Sequence, residues 1–102
     1  MKLKEERPLL SKRDDESDIG RIIISKRGRD KNLLFIILNV CGEYAYIVNG
    51  KARCINKPKK KKFKHFQKTN YFFEISIKTL DAHIIKALRA FENLKNKNSG
   101  NS

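Results

Sequence analysis

Residues 19–40 read IGRIIISKRGRDKNLLFIILNV. The β-branched run at 19–25 has the composition of a short strand. The next stretch, KRGRDKN, sets four basic residues around Gly28 and breaks the apolar pattern, so it is a loop. Residues 33–40, LLFIILNV, are apolar on both faces, the pattern of a strand flanked by others and covered above and below. Strand, glycine-centred basic loop, strand is the kernel of the fold.

Downstream, Gly42 turns the chain and residues 43–48 (EYAYIV) form a third strand. Asn49-Gly50 predicts a two-residue type I′ hairpin, because both central residues of that turn need positive φ. A fourth strand then returns over 51–56, and Pro58, lacking the N–H a ladder needs, stops it. In this register Val48 faces Lys51, and Ala45, Ile47, Ala52 and Cys54 share one small apolar face. Tyr44, Tyr46, Lys51 and Arg53 share the other, with Tyr46 opposite Arg53. Such a face either stacks the bases of single-stranded RNA or lies beneath the next segment.

Farther on, Leu80, Ile84, Leu88, Phe91 and Leu94 recur at helical spacing, with Ile85 and Ala87 beside them. This predicts an amphipathic helix with Thr79 as N-cap, its apolar stripe closing one side of the sheet. A few short strands with tight turns suit a small barrel better than a sandwich. The expected fold is mainly β: a small SH3-like barrel followed by a C-terminal α-helix. Residues 1–18 show no periodicity and are expected as a mobile arm, 19–70 as the barrel with a basic extension, 71–95 as a segment leading into the helix, and 96–102 as a disordered tail.

The chain has 102 residues, with 24 Lys and Arg against 11 Asp and Glu and a net charge of +13. The first eighteen residues hold five basic and six acidic side chains, so the excess belongs to the part expected to fold. Residues 51–68 carry nine positive charges and no acid. A polyanion relieves that repulsion, and nucleic acid is the first candidate. Cys41 and Cys54 are too few for a disulfide scaffold, lack zinc-site spacing with His65 and His83, and read as small core residues. No cofactor or metal is expected. The longest purely apolar run, 33–38, is six residues, far short of the ~20 that cross a membrane. The start of the chain has no apolar signal-peptide core, so a soluble cytoplasmic protein is expected. The helix stripe lacks Trp, which argues against a membrane-surface role.

An enzyme is not expected either. Asp14, Asp15, Glu16 and Asp18 fall in the expected arm, which cannot fix two carboxylates for acid–base work. There is no phosphate-binding glycine loop or dinucleotide fingerprint, and no small-molecule substrate is implied.

Residues 19–40 resemble the KOW motif, and the run YIVNGKARCINKPKKKKFKHFQKTN extends the likeness. Together they resemble the KOW-type large-subunit ribosomal protein family numbered fourteen in archaea and eukaryotes, with its short bacterial relatives. Gly28, Arg29 and Asp30 fall on the family's GRD, and residues 59–62 on its basic stretch after the proline. Asn32 stands where relatives often have a second glycine; Asn tolerates the left-handed conformation better than most. The resemblance covers about half the chain, leaving out 1–18 and 71–102. It implies an SH3-like barrel that binds ribosomal RNA of the large subunit, with ribosomal proteins as neighbours. KOW barrels of transcription elongation, which contact RNA polymerase, are the alternative.

The residue chemistry points the same way. Lys26, Arg27, Arg29 and Lys31 flank Gly28, whose positive φ lets backbone N–H groups approach a phosphate. Asp30 is expected to orient Arg29 or cap the turn. Residues 59–62 could be a solvated face or a localisation signal, but the interleaved Phe63, His65 and Phe66 favour RNA contact. Phe63 and Phe66 read as an anchor, and His65 as a neutral side chain near RNA. The expected RNA-binding set is Lys26, Arg27, Gly28, Arg29, Lys31, Lys51, Arg53, Lys59, Lys60, Lys61, Lys62, Lys64, His65 and Lys68.

Overall fold

The computed structural model describes residues 9–12 and 17–99. Strands β1 (Ser11–Lys12), β2 (Arg21–Ser25), β3 (Leu34–Cys41), β4 (Tyr44–Val48), β5 (Lys59–Lys62) and β6 (Phe66–Phe72) precede the helix α1 (Asp81–Ser99). They form one antiparallel sheet in the order β1-β6-β2-β3-β4-β5. The protein is mainly β with a C-terminal helix, as its sequence indicates, and the sheet is consistent with a small SH3-like barrel.

β2 and β3 lie inside the sheet and bury alternate side chains on opposite faces. Ile23, Phe35 and Ile37 point one way and cluster with Ala45, Ile47 and Phe66. Ile47 and Phe66 belong to this one cluster although β2 and β3 separate their strands. Ile22 and Ile36 point the other way and join Val48, Phe73, Ile84, Ala87, Leu88 and Phe91. The helix therefore covers the outer face, as its stripe predicts. The stripe is shorter than expected, since Leu80 and Leu94 are 60% and 39% exposed. Thr79 is not the cap. Its Oγ1 accepts the Ser76 N–H at 2.9 Å, while His83 Nδ1 accepts the Leu80 N–H at 2.9 Å and closes the helix start. No described helix is long and apolar enough to cross a membrane.

The expected fourth strand at 51–56 does not form. Asn49 Oδ1 accepts the N–H groups of Lys51 and Arg53, both at 3.0 Å, and folds the chain into a wider loop. Gly50, at φ +82°, lies against the first turn of α1, where a Cβ would come 2.7 Å from Asp81 O and from Ile85 Cγ1. Asp81 also reaches back, accepting the Ile55 N–H at 2.8 Å. The helix holds this loop, and the strand partner of β4 comes later. Tyr44, Ala45, Tyr46 and Ile47 face Lys62, Lys61, Lys60 and Lys59. Pro58 thus precedes the paired strand instead of ending it. Ala52 and Cys54 are not core: Ala52 is exposed, and Cys54 sits half-buried in the loop with its thiol 3.2 Å from Lys51 O. Cys41, at the end of β3, is exposed.

The N-terminal segment is partly strand. Ser11 and Lys12 pair with Phe72 and Tyr71, and Asp18 receives Arg21 Nε at 2.9 Å. Asp14, Asp15 and Glu16 lie outside the described residues, as do 1–8 and 100–102.

Candidate nucleic-acid interface

The loop 26–32 joins β2 to β3. Its neck is closed by Ser25 N–H to Leu33 O at 3.0 Å and Asn32 N–H to Ser25 O at 2.8 Å. Within it Gly28 and Asn32 both take positive φ, +88° and +74°, so Asn32 fills the left-handed position foreseen for it. Lys26, Arg27, Arg29 and Lys31 are all exposed around this bend.

Beneath the loop, Asp30 is buried. It orients neither Arg29 nor the turn through its side chain. Oδ1 accepts Ser25 Oγ at 2.7 Å and Lys61 Nζ at 3.0 Å, while Oδ2 accepts Lys59 Nζ at 2.8 Å. Lys61 Nζ also donates to Arg27 O at 2.8 Å. Burial raises the carboxyl's pKa, but the bonds from Lys59, Ser25 and Lys61 more than offset this and leave it well below the usual range. The loop is thereby fastened to β5 by a buried carboxylate. Lys61 is itself buried, whereas the Lys59 side chain keeps 29% of its surface exposed beside the loop.

The other two lysines of β5 point to the opposite face because strand side chains alternate. Lys60 and Lys62 stand 4.6 and 5.7 Å from the Tyr44 ring centroid. The expected aromatic–basic face is thus built with β5 and without Lys51 or Arg53.

β5 runs into a single 3-10 turn, Phe63–His65, where Phe63 packs on Phe66 with centroids 5.2 Å apart. This pair anchors the segment, as its spacing suggests, and Phe66 is buried. The anchor brings His65 beside the loop: Lys26 N–H donates to His65 O at 2.9 Å. Partial withdrawal from water, then the charges of Arg27, Lys61, Lys64 and Lys62, hold the His65 pKa below its ordinary value. The loop with Arg27 and the β5–turn segment with Lys62 and Lys64, more than thirty residues apart in sequence, thus lie side by side.

The remaining expected residues scatter. Lys68 is ion-paired with Asp18 at 3.2 Å and lies 5.0 Å from the Phe63 centroid. Lys51 and Arg53 are exposed on the 49–57 loop, Lys51 toward α1 beside Arg89 and Arg53 toward Arg29. Sequence reasoning missed Leu33, half exposed at the base of the basic loop between Arg29 and Arg53. The signal that could have found it was an apolar residue directly after the polar loop, ahead of the first buried strand position. Among the described residues, no group of three or more His, Cys, Asp or Glu could hold a metal ion.

No protein-family model matches this chain, and no curated protein gives a significant match.

Proposed function

We propose that this chain is a non-catalytic RNA-binding protein, associated with the ribosome or with translation, that grips structured RNA through its glycine-centred loop and the β5–turn segment. The observation that carries the reading is the hydrogen bond from Lys26 N–H to His65 O, which sets the β5–turn segment with Lys62 and Lys64 against a loop carrying Lys26, Arg27, Arg29 and Lys31. Asp30, the acid within the loop, is turned inward and bonded to two lysines, which leaves exposed Glu43 as the acid beside Lys62 and Lys64. Arg can fork onto phosphate or stack on a base, while Lys offers a point charge. Two such segments held at fixed spacing suit the backbone of a folded RNA, and contacts of this kind read shape before sequence. The likeness of residues 19–70 to KOW-type ribosomal proteins supports the finer ribosomal reading.

Sedimentation of the endogenous protein through a sucrose gradient tests it. Co-migration with the large ribosomal subunit that survives high salt is expected for an integrated component. Recovery at the top of the gradient at both low and high salt would overturn the ribosomal reading, and association with RNA polymerase would replace it.

A further inference from the structure

A hollow of about 290 Å³ opens between the loops 26–32 and 49–57, away from His65. Leu33 and Phe35 form its apolar side, and Arg29, Arg53, Lys59 and Asn49 its polar rim. Leu33 is 50% exposed, whereas Phe35 is buried, so Leu33 is the apolar surface a ligand would cover. The Arg29 and Arg53 guanidiniums make no hydrogen bond or ion pair among the described residues. Asn49 Oδ1 is fully engaged by Lys51 and Arg53 N–H, which leaves its amide NH₂ as the donor at the wall. Asp30 Oδ2, bonded to Lys59 alone among the described residues, retains acceptor capacity toward the same space.

We propose that this hollow takes a single unpaired nucleotide, its base over Leu33 and its phosphate between Arg29 and Arg53. The inference rests on the RNA-binding reading and adds the class of RNA: one with an extruded base, not a continuous duplex. Three features argue for this occupant. The volume lies at the lower end of small-ligand sites, enough for one nucleotide and too small for a paired one. An apolar face flanked by two unpartnered guanidiniums matches a flat base carrying an anionic phosphate. The NH₂ of Asn49 and the carboxylate of Asp30 provide a donor and an acceptor for a base edge.

The rim also bridges elements that fold independently of RNA. The backbone of both loops is set before any ligand arrives, the first by the Asp30 bonds to Ser25, Lys59 and Lys61 and the second by the Asn49 turn. Such preorganisation lowers the ordering cost of binding.

The test compares three probes on the full chain: an RNA hairpin with one bulged 2-aminopurine, the same hairpin fully paired, and a free nucleoside monophosphate. The bulged hairpin is expected to bind about tenfold tighter than the paired one, as for one stacked base. The 2-aminopurine fluorescence should change on binding. In Leu33→Ser and in Arg53→Ala the tenfold preference and the fluorescence change should be lost, while binding of the paired hairpin persists. Both sites are at the surface, and an unchanged circular dichroism spectrum checks that the variants fold. Equal binding of both hairpins by the parent overturns the nucleotide site and leaves the RNA-binding reading intact. Binding of neither hairpin overturns both. Saturable binding of the monophosphate alone, with no preference for the bulge, would mean a free nucleotide is the ligand and would overturn the RNA-linked form.

Discussion

Lys61 Nζ lies 3.0 Å from Asp30 Oδ1, with 8% and 11% of the two side chains exposed. The pair ties an edge strand to a loop that starts more than thirty residues earlier in the chain. Removing one member of a buried pair leaves the other charge uncompensated, which typically costs about 3–5 kcal/mol. Asp30→Ala takes the carboxylate from the buried Lys61, which keeps only the Arg27 carbonyl, and is expected to lower unfolding free energy by roughly 3 kcal/mol. Lys61→Met should cost less, since Lys59 and Ser25 still bond the carboxylate. Urea unfolding of both variants checks the order, and equal stability of Asp30→Ala and the parent would show that the clamp does not hold the fold.

The same carboxyl sets an acid limit. Because its pKa is depressed in the fold, Asp30 contributes stability that is fully present above the unfolded carboxyl's value and is lost as pH falls through the folded one. Urea midpoints should hold through mild acid, then fall below about pH 4, the ordinary Asp value. In Asp30→Asn this part of the pH dependence should vanish, and a slope unchanged from the parent would assign it elsewhere.

RNA affinity should respond to different residues. Arg27→Ala with Lys64→Ala is expected to weaken binding of a structured RNA and to flatten the log–log salt slope by about 0.7–0.9 for each phosphate no longer neutralised. Neither side chain is buried, so the unfolding free energy should stay within about 0.5 kcal/mol of the parent. Anisotropy titrations at several salt concentrations measure the slope. A parent-like slope in the double variant would place the RNA away from His65.

His65 supplies a proton linkage for binding. In the free protein, partial desolvation and then the surrounding cations depress its pKa. Phosphate brought into that cluster offsets the cations and raises it again, so the complex holds more proton than the free chain. Binding should therefore tighten as pH falls through the interval between the His65 values of the complex and the free chain, by up to about tenfold per pH unit for one linked proton. His65→Gln should flatten the profile. A pH-independent parent would show that no phosphate sits at the imidazole.

Gly50 tests the seat of the helix. A methyl group there meets Asp81 O and Ile85 Cγ1 at 2.7 Å, on a residue already at φ +82°. Gly50→Ala should cost about 1–3 kcal/mol through backbone strain and displaced helix packing. Gly42, also at positive φ, has nothing near its missing Cβ. Gly42→Ala should therefore cost less in the same urea titration, and an equal loss at both sites would reduce the effect to strain alone.

The strands β2 to β4 and the helix are legible because their apolar residues follow the period of the element and its burial. Residues 59–62 are not: four lysines in a row have low strand propensity and read as an RNA-contacting extension beyond the last strand. Their strand depends on Asp30, an acid placed where the fold brings it beneath the loop. The Asn-Gly turn misleads for a related reason. The local signal for a two-residue hairpin is genuine, yet Asn49 closes a wider loop and the helix packs on Gly50. The basic loop is legible as a surface, whereas the hollow beside it needs two loops juxtaposed and leaves no linear pattern.

The strand order also has a temporal side. β2, β3, β4 and β5 are neighbours in both sequence and space, but β6 must cross to the far side of β2. Local hairpins close at low entropic cost, so the β2–β4 meander is expected to nucleate folding, with β6 arriving later. α1, following all six strands, can settle only after β6 is in place, because Phe73, directly after β6, belongs to the cluster it covers. Until then Ile22, Ile36 and Val48 face water. On a growing chain that interval is the one in which a chaperone would find a hydrophobic sheet to hold.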